Sequence, residues 1–278
     1  MIHSAGFYKK QEDDIMAVIG AVLGDIAGSQ FEFHRPADLD WKNCRIFTEK
    51  CRFTDDTVMT LAVKKAVLEN TDLAKTMREV GRYYPNSGYG RKFYQWIYGK
   101  KSGPYNSLGN GSAMRVSFVG EYYEKLEDVA AMAEQSAAVS HDHPEGIKGA
   151  VVTAVCIWMA RHGKSRQQIF DYVLEQYPAD RYEYSIDKSM DELEHIYKWN
   201  ETCMGSVPPA MRCFYESDSY ESFLRNVFRL KCDSDTLAAI GGPVAEEYYH
   251  GVGFDPEPVL QRYLDERMYG ILKMQDGK

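Results

Sequence analysis

The six cysteines, Cys44, Cys51, Cys156, Cys203, Cys213 and Cys232, form no C-x-x-C pair. Zinc ribbons and thioredoxin-like sites are therefore excluded. Long apolar runs are missing too. The longest, Gly149 to Ala160 (GAVVTAVCIWMA), is too short to cross a bilayer, so no membrane partner is expected. Basic charge is not in excess: 33 Lys and Arg face 41 Asp and Glu, a net charge of −8. A general nucleic-acid binder needs a basic face, so that class is set aside. Clean strand alternation is almost absent. Cys44 to Phe53 could hold a short extended piece, but no sheet is expected. No Pro- or Ser-rich linker divides the chain, and no fixed-period repeat is present. The opening MIHSAGFYKKQEDD lacks the apolar stretch of a secretory signal. The cysteines then read as reduced thiols and the cytoplasm as the expected compartment.

What remains is helical. The 278 residues are 44% hydrophobic and 27% charged, enough for a sizeable core. Apolar periodicity predicts helices over 15–29, opened by Asp13 and Asp14, and over 54–69. The next is capped by Thr71 and ends at Tyr84 before Pro85. Further helices are predicted over 91–98, 112–123, 126–139, 144–162, 165–176, 186–199, 219–229, 235–249 and 257–273. Loops are expected at 30–53, 84–90, 99–111, 140–143 and 200–209. The expected architecture is one all-α domain over 1–278 of about a dozen helices, with 1–14 a loose extension.

Two segments stand out. Phe53-Thr54-Asp55-Asp56-Thr57 opens one helix, and Asp233-Ser234-Asp235-Thr236 opens another far along the chain. Capping explains a single acid or hydroxyl in a first turn. Each segment, however, supplies two acids followed by a threonine. If the two converged, their carboxylates would repel unless a cation sat among them. Oxygen ligands without His or Cys suit Mg²⁺, Mn²⁺ or Ca²⁺. Both readings stand on spacing alone.

Other candidates also have two readings. Gly20, Gly24 and Gly28 share one helix face, where another helix can approach closely. Asp25 interrupts that apolar helix, either to bond a neighbouring helix end or to serve a site. Glu32 lies just past it and reads as an ordinary loop acid. Gly109, Asn110 and Gly111 signal a turn, or a loop whose amides approach a phosphate or ribose. Arg115 reads as a buried partner for a carboxylate. His143 reads as the cap of the helix that opens at Pro144.

Six segments together resemble the ADP-ribosylglycohydrolase family: GAVLGDIAGSQFE (20–32), RFTDDTVMTLAV (52–63), GYG (88–90), GNGSAMRVSFVG (109–120), SHDHPEGIKGA (140–150) and DSDTLAAIGGPVAEEYY (233–249). The resemblance implies a compact all-α fold with a binuclear Mg²⁺ or Mn²⁺ cleft. By position it implies metal ligands Thr54, Asp55, Asp56, Asp233, Asp235 and Thr236. Glu32 falls on the family's acidic residue at the metal site, and with Asp55 and Asp56 makes the catalytic set. Gly88, Tyr89 and Gly90, with Ser107, Leu108, Gly109, Asn110 and Gly111, match loops holding the phosphates and distal ribose. Tyr89 is also the aromatic chosen for adenine. His141 matches a histidine lining the ligand cleft. Lys231, Cys232 and Phe118 depart from common family residues without removing a ligand. The implied activity is metal-dependent cleavage at C1″ of ADP-ribose, freeing an acceptor on a protein or small molecule. Two alternatives are a non-catalytic ADP-ribose-binding or structural protein and a metal-dependent phosphoesterase.

Overall fold

The computed structural model describes residues 18–100 and 103–275, and its architecture is all-helical. In chain order the helices are α1 (Ile19–Gly28), α2 (Asp55–Leu68), α3 (Leu73–Gly81), α4 (Arg91–Tyr98), α5 (Gly111–Met114), α6 (Ser117–Tyr122), α7 (Leu126–Ala138), α8 (Pro144–Arg161), α9 (Arg166–Gln176), α10 (Met190–Ile196), α11 (Cys203–Tyr215), α12 (Tyr220–Arg229), α13 (Ser234–Tyr249), α14 (Glu257–Tyr263) and α15 (Glu266–Leu272). One isolated bridge, Gly109 with Thr202, is the nearest thing to a sheet among the described residues. The 1–14 extension, and the 15–17 start with its Asp13 and Asp14, lie outside them.

α1 and α13 make the central pair, and glycine is why. A Cβ on Gly20, Gly24 or Gly28 would lie 2.6, 2.4 or 2.4 Å from the carbonyl oxygens of Gly242, Ala238 and Ser234. Those partners run in opposite sequence directions, so the helices are antiparallel. The C-terminal end of α1 therefore meets the N-terminus of α13, where Ser234 Oγ donates to the Gly28 carbonyl at 2.8 Å. Free amides at the start of α1 are met by buried carboxylates from distant helices. Val18 N donates to Glu121 Oε2 of α6 at 2.8 Å, and Gly20 N to Glu246 Oε2 of α13 at 2.7 Å.

The structure corrects several element boundaries. Asp72, not Thr71, caps α3, its Oδ1 accepting from Lys75 N at 2.7 Å. Thr71 instead pairs its hydroxyl with that of Thr76 at 2.8 Å. The predicted 112–123 helix breaks at Arg115 and Val116, and the 257–273 helix breaks where Asp265 caps α15. The 200–209 loop is mostly the start of α11. Pro208 and Pro209 argue against a helix there, since proline removes a ladder donor. The carbonyl left without Pro209's missing N–H belongs to Gly205, and the buried Tyr197 hydroxyl donates to it at 2.7 Å. His143 caps α8 as expected, its Nδ1 accepting from Glu145 N at 3.1 Å. Phe118 is buried and stacks on Tyr122, so that departure from the family fills core.

Candidate active site

The antiparallel α1–α13 pair delivers Glu32, four residues past α1, to the start of α13. Asp25 fixes the third partner, α2. Its Oδ2 accepts from the amides of Thr54 and Thr57 at 2.9 and 3.0 Å, and its Oδ1 accepts from Thr54 Oγ1 at 2.7 Å. Asp25 thus bonds a neighbouring helix end, one of its two sequence readings. A buried carboxylate with three donors is a satisfied one.

The two acidic segments converge. Thr236 Oγ1 donates to Asp56 Oδ2 at 3.2 Å. One carboxylate oxygen each of Asp25, Asp56 and Asp235 lie within 4.8 Å of one another, as do those of Glu32, Asp233 and Asp235. Asp235 belongs to both groups. Asn110 Nδ2 donates to Asp233 Oδ2 at 2.8 Å and ties the glycine loop to the cluster. Asp55 sits at the cleft surface beside Gly88. That glycine has a φ of 107°, and a Cβ on it would lie 3.0 Å from Asp55 Oδ1.

This concentration of like charge is electrostatically costly. Burial, then the charge of Asp25, pushes both Asp55 and Asp56 well above the usual carboxylate range. Burial, then Asp233, does the same to Asp235. Burial raises Asp233 to about 6. Glu32 is raised to about 7 by burial and then by Asp233. The nearest ion-pair cation to Glu32 is Arg52, 3.8 Å away and largely exposed. Asp56 Oδ1 is buried with no hydrogen-bond partner. A buried anionic cluster with an orphaned oxygen fits a divalent cation, which removes the repulsion and takes the free lone pairs.

Above the cluster opens a cavity of about 440 Å³. Of the sequence candidates, Glu32, Asp55, Asp56, Gly88, Gly90, Ser107, Gly109, Asn110, Gly111, His141, Asp233, Asp235 and Thr236 line it. Thr54 lies beneath the floor. Tyr89 and Leu108 are not brought to the cavity. The Tyr89 hydroxyl donates to the Gly81 carbonyl at 3.3 Å and its ring packs on Phe93. Leu108 instead offers its carbonyl to Cys203 N at 3.0 Å.

Sequence reasoning passed over several lining residues. Phe33 and Trp199 stack at the rim, ring centroids 5.7 Å apart. Phe33 adjoins Glu32, but Trp199 lies in the 177–199 stretch, which carries no motif. Arg115 also lines the cavity, and its partners among the described residues are the Ser136 and Ala137 carbonyls and the Ser140 hydroxyl rather than a carboxylate. Its place inside GNGSAMR was the available signal.

Comparison with known proteins bears on this geometry. A family model described as ADP-ribosylglycohydrolase matches residues 10–262. ADP-ribosylhydrolase ARH3 of Homo sapiens is 25% identical over 312 residues, covering 86% of this chain and 85% of its own. The Gallus gallus protein of the same name is 29% identical over 264 residues, covering 72% and 71%. A solved structure titled ADP-ribosylglycohydrolase-related protein complex superposes with a TM-score of 0.70 at 21% identity. It covers 92% of this chain and 94% of that one, a likeness of fold.

Proposed function

The chain belongs to the ADP-ribosylglycohydrolase family and is an ADP-ribosylhydrolase, and from that premise we propose that it releases ADP-ribose from a modified protein or small molecule at a binuclear Mg²⁺ or Mn²⁺ site. The observation that carries the reading is the contact of Thr236 with Asp56, beside the orphaned Asp56 Oδ1. Thr54, Asp55, Asp56, Asp233, Asp235 and Thr236 are the proposed ligands. Divalent cations held there would supply positive charge that steadies an oxygen-rich ligand and acidifies a water.

The remaining roles belong to the chain. Departure of the acceptor from C1″ leaves an oxocarbenium-like centre, which the Asp55 and Asp56 carboxylates stabilise. Glu32, at the same floor, takes the proton of the attacking water and passes it to the departed acceptor, leaving ADP-ribose and the unmodified acceptor. Gly109 and Gly111 leave room for the ligand beside Asn110. Gly90 opens α4, whose first residues Arg91 and Lys92 also line the cavity. The pyrophosphate meets that helix start and its two cations, which reconciles an acidic protein with an anionic ligand.

The test is a panel of substrates carrying ADP-ribose on arginine, serine, a base or a small molecule, each with EDTA and with Mg²⁺ or Mn²⁺ restored. Intact ADP-ribose, released only with metal, is the expected product. AMP with ribose phosphate indicates a phosphoesterase. Tight ADP-ribose binding without turnover on any linkage indicates a binding protein.

A further inference from the structure

Three side chains at the inner wall of the cleft form a hydrogen-bond chain that the acidic cluster does not use. Arg115 is fully buried. Its Nη2 donates to the Ser136 carbonyl at 2.7 Å and to Ser140 Oγ at 3.0 Å. Ser140 Oγ in turn lies 2.8 Å from His141 Nδ1. A guanidinium has donors and no acceptor, so Ser140 Oγ accepts from Arg115. Ser140 Oγ has no other acceptor among the described residues, so donation to Nδ1 is the arrangement that also satisfies the hydroxyl's single proton. An Nδ1 that accepts carries no proton, and a neutral imidazole keeps its proton on Nε2. Burial, and then the charge of Arg115, favours that neutral ring. The rings of Tyr105 and Phe93 stand beside the imidazole, centroids 5.7 and 6.0 Å away.

The other nitrogen faces the glycine loop. A Cβ on Gly111 would lie 3.1 Å from His141 Nε2, and one on Gly109 would lie 3.6 Å from it. Neither glycine has a positive φ, so backbone conformation does not require glycine at these two positions. At Gly111 the space beside Nε2 does, whereas at Gly109 the nearer atom is Ser107 Oγ, 3.2 Å from such a Cβ. His141 and both glycines line the cavity, and Nε2 has no hydrogen-bond partner among the described residues.

We propose that Arg115 and Ser140 are positioning residues that lock His141 as a neutral Nε2–H donor, aimed at a phosphate or hydroxyl oxygen of ADP-ribose. This rests on the reading that ADP-ribose occupies the cleft. The lock gives the site a donor of fixed direction with no rotamer or tautomer left to choose at binding. Replacing Ser140 leaves the imidazole in place but frees its tautomer.

The experiment has two arms on the full chain. Long-range ¹H–¹⁵N correlation of the imidazole nitrogens, without ligand at pH 7, reads the tautomer. His141→Gln assigns the signal among the seven histidines. The expected wild-type spectrum is neutral and protonated at Nε2, Ser140→Ala mixes the tautomers, and Ser140→Thr, which keeps a hydroxyl, restores the wild-type pattern. Calorimetric titration with ADP-ribose is the second arm. Ser140→Ala is expected to bind about 5- to 10-fold more weakly, the scale of one lost hydrogen bond, and Ser140→Thr within about twofold of wild type. In turnover the loss should fall in KM with kcat held. A wild-type ring protonated at Nδ1 or at both nitrogens, or unchanged binding by Ser140→Ala, overturns the proposal. The wild-type spectrum decides the tautomer even where a variant does not fold. A wild-type chain that shows the Nε2–H ring but does not bind ADP-ribose overturns the ligand assignment and the reading of the cleft, while the relay itself stands.

Discussion

Thr236 and Asp56 lie 180 residues apart in sequence, and the hydroxyl of one donates to the carboxylate of the other at 3.2 Å. That contact joins two helix starts whose acids would otherwise repel. The start of α2 is ordinary capping chemistry, Thr54 accepting from the Asp56 amide, whereas Asp233 at the start of α13 makes no side-chain cap bond. Together they leave Asp56 Oδ1 buried and unpaired, and the cluster asks for a cation.

Removing a carboxylate from the proposed metal floor is therefore expected to act on metal affinity first. Asp235→Asn is expected to lower ADP-ribose release by about 100-fold or more. In EDTA-stripped wild type, Mn²⁺ at about 100 times its Kd should add about 2.7 kcal/mol of stability, seen as a rise in Tm. Asp235→Asn should lose most of that rise. Thermal melts with and without Mn²⁺ check it, and an undiminished rise contradicts it.

Glu32 separates binding from chemistry. Among the described residues its ion-pair partner is the largely exposed Arg52, and burial and then Asp233 raise it to about 7. Glu32→Gln keeps the shape and removes the base. A fall in kcat of about 10²- to 10⁴-fold is expected, with ADP-ribose affinity within about threefold of wild type. Equal kcat in the two proteins would remove Glu32 from the chemistry.

The glycine face of α1 gives a stability prediction with its own control. Gly24→Ala would set a Cβ 2.4 Å from the Ala238 carbonyl oxygen, against backbone that cannot rotate away. A loss of about 1–3 kcal/mol is expected in urea unfolding. Gly270→Ala, inside α15 with nothing within 4 Å, should instead gain about 0.5–1 kcal/mol. Equal effects at both sites would contradict the close α1–α13 approach.

Lys64 supplies a pH dependence far from the cleft. It is buried on α2, and its Nζ donates to the Leu272 carbonyl at 2.5 Å. Burial lowers it from 10.5 to about 8, opposed by Glu121. Between those values the unfolded chain binds the proton that the folded chain has released, so this group's contribution to stability rises with pH. Below about 8 its charging cost is present in full. Lys64→Met is expected to gain about 1–2 kcal/mol at pH 7, less the lost carbonyl bond, and its advantage should shrink by pH 10. Urea unfolding of both proteins across that range is the check, and a constant difference contradicts it.

Much of this was readable beforehand, for local reasons. Glycine every fourth residue on α1 states a close helix partner, and acids with threonine in a first turn state a helix start. Neither states who the partner is. The contacts of Gly24 with Ala238 and of Thr236 with Asp56 come only from the folded chain. Asp25 kept two readings because a buried acid is silent about its donors. α11 was hidden because Pro208 and Pro209 mark a break, and its rescue by the Tyr197 hydroxyl is tertiary. GYG fits a ligand loop, and only the folded chain shows the Tyr89 hydroxyl on the Gly81 carbonyl.

The most direct measurement is anomalous diffraction at the manganese edge from crystals grown with Mn²⁺. Peaks bounded by the oxygens of Asp55, Asp56, Asp233 and Asp235 are the expected result. A fully active enzyme at saturating Mn²⁺, with no peak between those two helix starts, would contradict the account.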